Sequence, residues 1–150
     1  MHTIKFCKII IENEFNKYKG DKMNSQDKKA FIGFQQGELN AVLMYRRFAE
    51  VTKNPEWKKL YLEAAKDEGR HAAIMAKYTG ETLKANEFQA KLLGVLYRIM
   101  PKKLVHFGIS KGEYAGGNGY RPYVSDEYPE IKGMMEDEYK HGDIFKSLAK

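Results

Sequence analysis

The chain has 150 residues, 43% hydrophobic and 31% charged, with a net charge of +6; that length supports one domain with a sizeable core. Its single cysteine, Cys7, excludes an internal disulfide framework or a four-cysteine metal site, and fits a reducing, cytoplasmic setting. No apolar run approaches the roughly 20 residues of a membrane span, so stable membrane insertion is not expected.

Residues 1–22 stand apart. Ile4, Cys7, Ile11, Phe15 and Tyr18 recur at helical spacing and predict an N-terminal amphipathic extension ending at Gly20, although Ile9-Ile10-Ile11 also fits a strand. Lys5, Lys8 and Glu12 break this stretch, so it does not read as a secretory signal. Cys7 reads either as a redox thiol or as a small apolar residue on that helix.

Residues 23–150 predict an all-α unit. From Asp27 to Thr52, the positions Phe31, Phe34, Val42, Tyr45 and Ala49 follow a helical period. Asn54-Pro55-Glu56 is a start signal for a second helix, which runs to about Lys77 and stops near Gly80. A shorter amphipathic segment covers about 86–99, with Leu92, Leu93, Leu96 and Ile99 on one face, and is expected to pack on the bundle. Pro101 opens a further long helix. Ser125-Asp126-Glu127-Tyr128-Pro129 signals the last one, running to about Leu148. The fold expected is a four-helix bundle with a short linking helix and an N-terminal helical extension.

Six residues on these helices carry the chemistry: Glu38, Glu68, His71, Glu113, Glu138 and His141. Their order is Glu, Glu-x-x-His, Glu, Glu-x-x-His. In a four-helix bundle this set brings one glutamate from each of two helices, and a Glu-x-x-His pair from each of the others, to a shared two-metal site. The i,i+3 spacing places each Glu and His on one helix face. The midpoint of Glu38 and Glu68 is position 53, at the first turn, and that of Glu113 and Glu138 falls between Ser125 and Asp126, at the second. Each pair therefore meets across its own hairpin. The halves repeat weakly: Asp67-Glu68-Gly69-Arg70-His71 parallels Asp137-Glu138-Tyr139-Lys140-His141.

Carboxylates and imidazoles together suit iron or manganese better than calcium or magnesium. Glu68 and Glu138 are expected to bridge two ions, with Glu38 and His71 on one ion and Glu113 and His141 on the other. Metal-bound histidine usually donates its second ring N–H to a carboxylate, so Asp67 and Asp137 are candidates to support the histidine of the opposite half, or else face solvent. Tyr45 and Tyr120 lie two turns from Glu38 and Glu113 on the same face. They are candidate catalytic residues, hydrogen-bonding a bridging carboxylate or trapping an oxidising equivalent, or they fill the core. His106 reads as a satisfied core residue.

Gly108, Gly112, Gly116, Gly117 and Gly119 crowd one predicted helix, at about 1 kcal/mol each relative to alanine. They imply close helix approach, open space beside the metals, or a helix break near Gly116. No strand precedes them, so a phosphate loop is not expected. The 21 lysines and five arginines read as a solvated surface able to steer an acidic partner, not as a nucleic-acid interface.

On Glu38, Glu68-x-x-His71, Glu113 and Glu138-x-x-His141, the chain over about 25–148 resembles the ferritin-like diiron superfamily and, within it, the rubrerythrins. The resemblance implies two iron ions (manganese or zinc in some preparations), reduction of hydrogen peroxide as the small-molecule oxidant, and a homodimer. Rubrerythrins often carry a rubredoxin domain; without one, electrons would come from a separate donor protein such as a rubredoxin. They also tend to carry a further glutamate where this chain has Gly116, which leaves a set similar to a bacterioferritin-like ferroxidase centre. Three enzyme readings follow: peroxidase, ferroxidase, and a hydroxylase similar to the demethoxyubiquinone hydroxylases, which would need an apolar substrate channel. A metal-buffering or purely structural bundle is the non-enzymatic alternative.

Overall fold

A computed structural model describes residues 23–150. The expected extension over 1–22 lies outside the described residues. Five α-helices follow in order, and no strand occurs among the described residues: α1 (Ser25–Val51), α2 (Pro55–Thr79), α3 (Glu87–Ile99), α4 (Lys102–Tyr120) and α5 (Ile131–Leu148). The architecture is an all-α, ferritin-like bundle of α1, α2, α4 and α5 with α3 as the linking helix. No described helix is long and apolar enough to cross a membrane.

Two compact units divide at Ala30 and Phe31. In the first, the described residues open α1, where the Asn24 side chain accepts a 2.8 Å hydrogen bond from the Asp27 N–H. The second, Phe31–Lys150, contains the remainder of the described chain.

Helix ends follow local chemistry. The Asn54 side chain accepts from the N–H groups of Glu56 (2.9 Å) and Trp57 (3.2 Å), and Pro55 occupies the first helical turn of α2. Gly80 ends α2 with φ of 70°, a left-handed conformation that costs a side-chain-bearing residue energy. Asn86 caps α3 through the Gln89 N–H at 2.9 Å. The last helix begins at Ile131, later than the Ser125–Pro129 signal suggests. A 3₁₀ turn at Arg121–Tyr123 and further turns take up the intervening residues.

Two aromatic layers bracket the middle of the bundle. Phe31, Phe34, Tyr78, Tyr123 and Tyr128 pack edge to face or tilted, with centroids 4.9–6.1 Å apart in the contacting pairs. At the other end, Tyr45, Phe48, Tyr61, Tyr97 and Phe145 form a buried core with Ile109 and the alanines Ala49, Ala64 and Ala65. Each fully buried large side chain contributes about 1.5–3 kcal/mol. Along α1, Glu38 falls between the Phe31 and Tyr45 levels, so the polar site sits between two apolar layers.

The linking helix differs from expectation. Leu93 and Leu96 are half-buried and Tyr97 is buried, whereas Leu92, Val95 and Ile99 are exposed. Apolar residues surround most of this helix, so its periodicity did not single out one face. The inner face is set by Gly94: a Cβ there would lie 2.6 Å from Arg47 Cγ, and the missing side chain lets the Arg47 stem cross beneath α3.

Candidate metal centre

All six predicted ligands converge in the bundle. Glu38, Glu68, His71, Glu113, Glu138 and His141 are all buried. They form two groups, each with ligand atoms within 4.8 Å of one another: Glu38, Glu68, His71 and Glu138, then Glu68, Glu113 and His141. His71 Nδ1 lies 3.0 Å from Glu138, 3.7 Å from Glu68 and 3.9 Å from Glu38. His141 Nδ1 lies 3.2 Å from Glu68 and 3.4 Å from Glu113. Glu68 belongs to both groups.

This donor set fits metal ions. Glu68 Oε1, Glu113 Oε2 and His141 Nδ1 are buried without a hydrogen-bond partner. Leaving such groups unsatisfied is costly, and a cation among them would satisfy all three. The pKa values report the same crowding. Burial, with the neighbouring Glu68, raises Glu38 well above the usual carboxylate range. Burial, with repulsion from Glu68 and Glu113, pushes Glu138 up to about 8 against the hydrogen bond from His71. Burial alone would raise Glu68, but the proton-bearing neighbours Glu38, His141 and His71 hold it well below its ordinary value. Burial works against protonated His71 and His141, yet their carboxylate neighbours outweigh it and hold them at about 9 and about 10. Protons thus screen the carboxylates where metal ions would otherwise do so.

The supporting groups cross between halves. Asp137 Oδ2 lies 3.4 Å from His71 Nε2, and Asp67 Oδ2 lies 3.3 Å from His141 Nε2. Arg70, which the sequence reading missed, reaches both aspartates: 2.5 Å to Asp137 and 3.3 Å to Asp67. Its place between the Glu and His of the first motif was the available signal.

The tyrosines also cross. Tyr45 donates to Glu113, and Tyr120 donates to Glu38. Both therefore reach the outer carboxylates, not Glu68 or Glu138, the expected bridges. Burial and the adjacent carboxylates raise the pKa of both phenols, which stay protonated donors. His106 lies apart from the cluster, 2.7 Å from the Tyr61 hydroxyl and edge-on to Trp57 with centroids 4.7 Å apart.

Gly116 stays within α4. A Cβ there would lie 2.7 Å from Glu138 Oε2, so Glu138 holds the space that a larger residue at 116 would enter.

The family model for rubrerythrin matches residues 34–105, a stretch that holds Glu38, Glu68 and His71. Over that stretch, just under half of its length, the chain is similar to the rubrerythrins. Among curated proteins, it is similar to magnesium-protoporphyrin IX monomethyl ester (oxidative) cyclases. That of Prochlorococcus marinus (strain MIT 9215) is 26% identical, over 87% of this chain and 38% of the relative. That of Synechococcus sp. (strain RCC307) is 22% identical, over 94% of this chain and 44% of the relative. That of Porphyra purpurea is 26% identical, over 95% and 45%. The chain therefore spans less than half the length of these relatives. No solved structure matches it significantly. The buried Glu/His cluster and the rubrerythrin match together fit a metal-binding site.

Proposed function

We propose that this chain is a non-haem diiron oxidoreductase that uses O₂ to oxidise an organic substrate, drawing electrons from a separate donor protein. The observation that carries this reading is the pair of facing Glu/His groups sharing Glu68. Glu38 and His71 would hold one iron and Glu113 and His141 the other, with Glu68 and Glu138 between them. Bound iron supplies the one-electron Fe(II)/Fe(III) couple that side chains lack.

The chain's own residues position and protect that site. Asp67 and Asp137 orient the two histidines from their outer nitrogens. Tyr45 and Tyr120 donate hydrogen bonds to Glu113 and Glu38 and are placed to intercept an oxidising equivalent that escapes the site. The aromatic layers close the site at its two ends along the bundle. The balance of a hydroxylation is a substrate C–H, O₂, two electrons and two protons giving C–OH and water.

O₂ is favoured by two features. The relatives named as oxidative cyclases align with 87–95% of the chain, and Gly116 leaves four glutamates and two histidines as the complete cluster. Peroxide reduction is the second reading, favoured by the rubrerythrin match over 34–105.

The test is anaerobic loading with two Fe(II) per chain, then mixing with O₂ or with hydrogen peroxide while following the near-ultraviolet and visible spectrum. Faster oxidation by O₂ is expected. Faster oxidation by peroxide would move the assignment to a peroxidase, and failure to take up two irons would sink both readings.

A further inference from the structure

The carboxylate cluster opens on one side into a cavity of about 520 Å³, lined by Glu38, Glu68, Glu113 and Glu138 and otherwise by residues of α1, α3, α4 and the α3–α4 junction. We propose that this cavity binds a neutral, apolar organic molecule and holds it against the glutamates. The proposal rests on the oxidase reading above and names its substrate class.

Four observations point to a small molecule. The volume falls within the roughly 300–1,000 Å³ of ligand pockets. The lining is apolar apart from its carboxylates, with Met44, Phe48, Leu93, Leu96 and Ile109 among the walls. No lysine or arginine lines it. Along these walls an anionic headgroup would therefore lack a basic partner, which selects against phosphates and sulfates except at the metal ions themselves. Finally, Glu68 and Glu113, 1% and 7% exposed, line this cavity, and Glu68 Oε1 and Glu113 Oε2 make no hydrogen bond beyond their 3.2 and 3.4 Å approaches to His141 Nδ1.

The glycines say what the space is for. At Gly116, Gly117 and Gly142, an added Cβ would meet Glu138, Tyr139 and Tyr114 at 2.7, 2.7 and 3.0 Å, so close packing explains them. At Gly33, Gly37, Gly108 and Gly112 it would meet nothing within 4 Å. These four all line the cavity, two on α1 and two on α4. Each sits inside a helix at a cost of about 1 kcal/mol relative to alanine, with no neighbour among the described residues that requires it. Their shared consequence is open space leading to the carboxylates. A helix from a second copy, about 10–12 Å across with its side chains, could cover the mouth, but could not follow the cavity down to the buried glutamates.

The experiment uses the full chain loaded with zinc, which is redox-inert, and a neutral fluorescent probe, N-phenyl-1-naphthylamine. Saturable binding of one probe per chain is expected, displaced at least about tenfold better by decanol than by decyl sulfate, a poor zinc ligand. Gly112→Leu and Gly108→Leu, which fill the space, are expected to weaken probe binding by about tenfold or more while circular dichroism stays helical. Gly112→Ala is expected to raise the melting temperature, since its Cβ meets nothing. Absence of saturable binding by folded protein would overturn the proposal, as would equal displacement by decyl sulfate or unchanged binding in both leucine variants. A dimer that binds no probe and dissociates in Gly112→Leu would also overturn it, assigning the face to a second copy. Zinc-loaded binding is independent of turnover. Loss of the oxidase reading is seen separately, as no O₂ consumption by the iron-loaded protein.

Discussion

Arg70 touches none of the six metal-ligand candidates, yet it holds both aspartates that face the outer nitrogens of His71 and His141. Groups that orient ligands in this way are worth about 10–100-fold in metal affinity. Arg70→Ala is therefore expected to weaken Co(II) binding within that range, measured by chelator competition; unchanged affinity would show that the aspartates hold their places alone. The histidines also predict a pH dependence. With pKa values of about 9 and about 10 they carry protons at neutral pH, and Glu138, at about 8, does so as well. A protonated imidazole cannot ligate, so metal binding must expel protons. Affinity should rise as pH increases from 6 to 9, and calorimetry at pH 7 in buffers of different ionisation enthalpy should show net proton release. A pH-independent affinity with no proton release would contradict this assignment of protons.

At the scale of elements, α2 carries both a strong start and a strong stop. Asn54 satisfies two backbone N–H groups, and Gly80 takes the left-handed conformation that closes the helix. Asn54→Ala should cost about 1 kcal/mol, and Gly80→Ala about 1–2 kcal/mol, both read from urea unfolding midpoints. The end of α2 is also tied to the start of α5: Lys77 and Tyr78 both donate to Glu130. Burial would raise Glu130, but those two donors hold it below its ordinary value. Because its pKa is lowered on folding, its contribution to stability is present at neutral pH and lost as pH falls through the carboxylate range. Glu130→Gln should therefore reduce the difference in stability between pH 7 and pH 3.

For the whole molecule, metal and fold are linked. Ions that bind only the folded bundle stabilise it by mass action, by about 2.7 kcal/mol at a free concentration one hundred times the dissociation constant. Melting temperature should therefore rise with added zinc or cobalt. Glu68→Ala and His141→Ala should remain helical but lose most of that rise together with their bound metal. A full thermal response in both variants would leave a bundle whose buried glutamates serve no metal. The apolar outer side of α3 and the start of α4, with Ile99 at 73% and Phe107 at 50% exposure, accompanies the cavity mouth, where Leu104 is both lining and exposed.

The sequence by itself determined the helical period, the caps at Asn54 and Gly80, and the six-residue ligand pattern, because each depends on spacing within a few residues or on symmetric distance from a turn. Those features need no knowledge of what packs against them. The tertiary structure alone decided which carboxylate each tyrosine reaches, the Arg70 link between halves, the exposed side of α3, and the division of the glycines into close contacts and open space. Each of these is a relation between side chains on different helices, often more than 60 residues apart, as for Tyr45 with Glu113 and Arg70 with Asp137. A helical period carries the direction of a side chain about its own axis, but not the rotation and separation of the neighbouring helix that it meets.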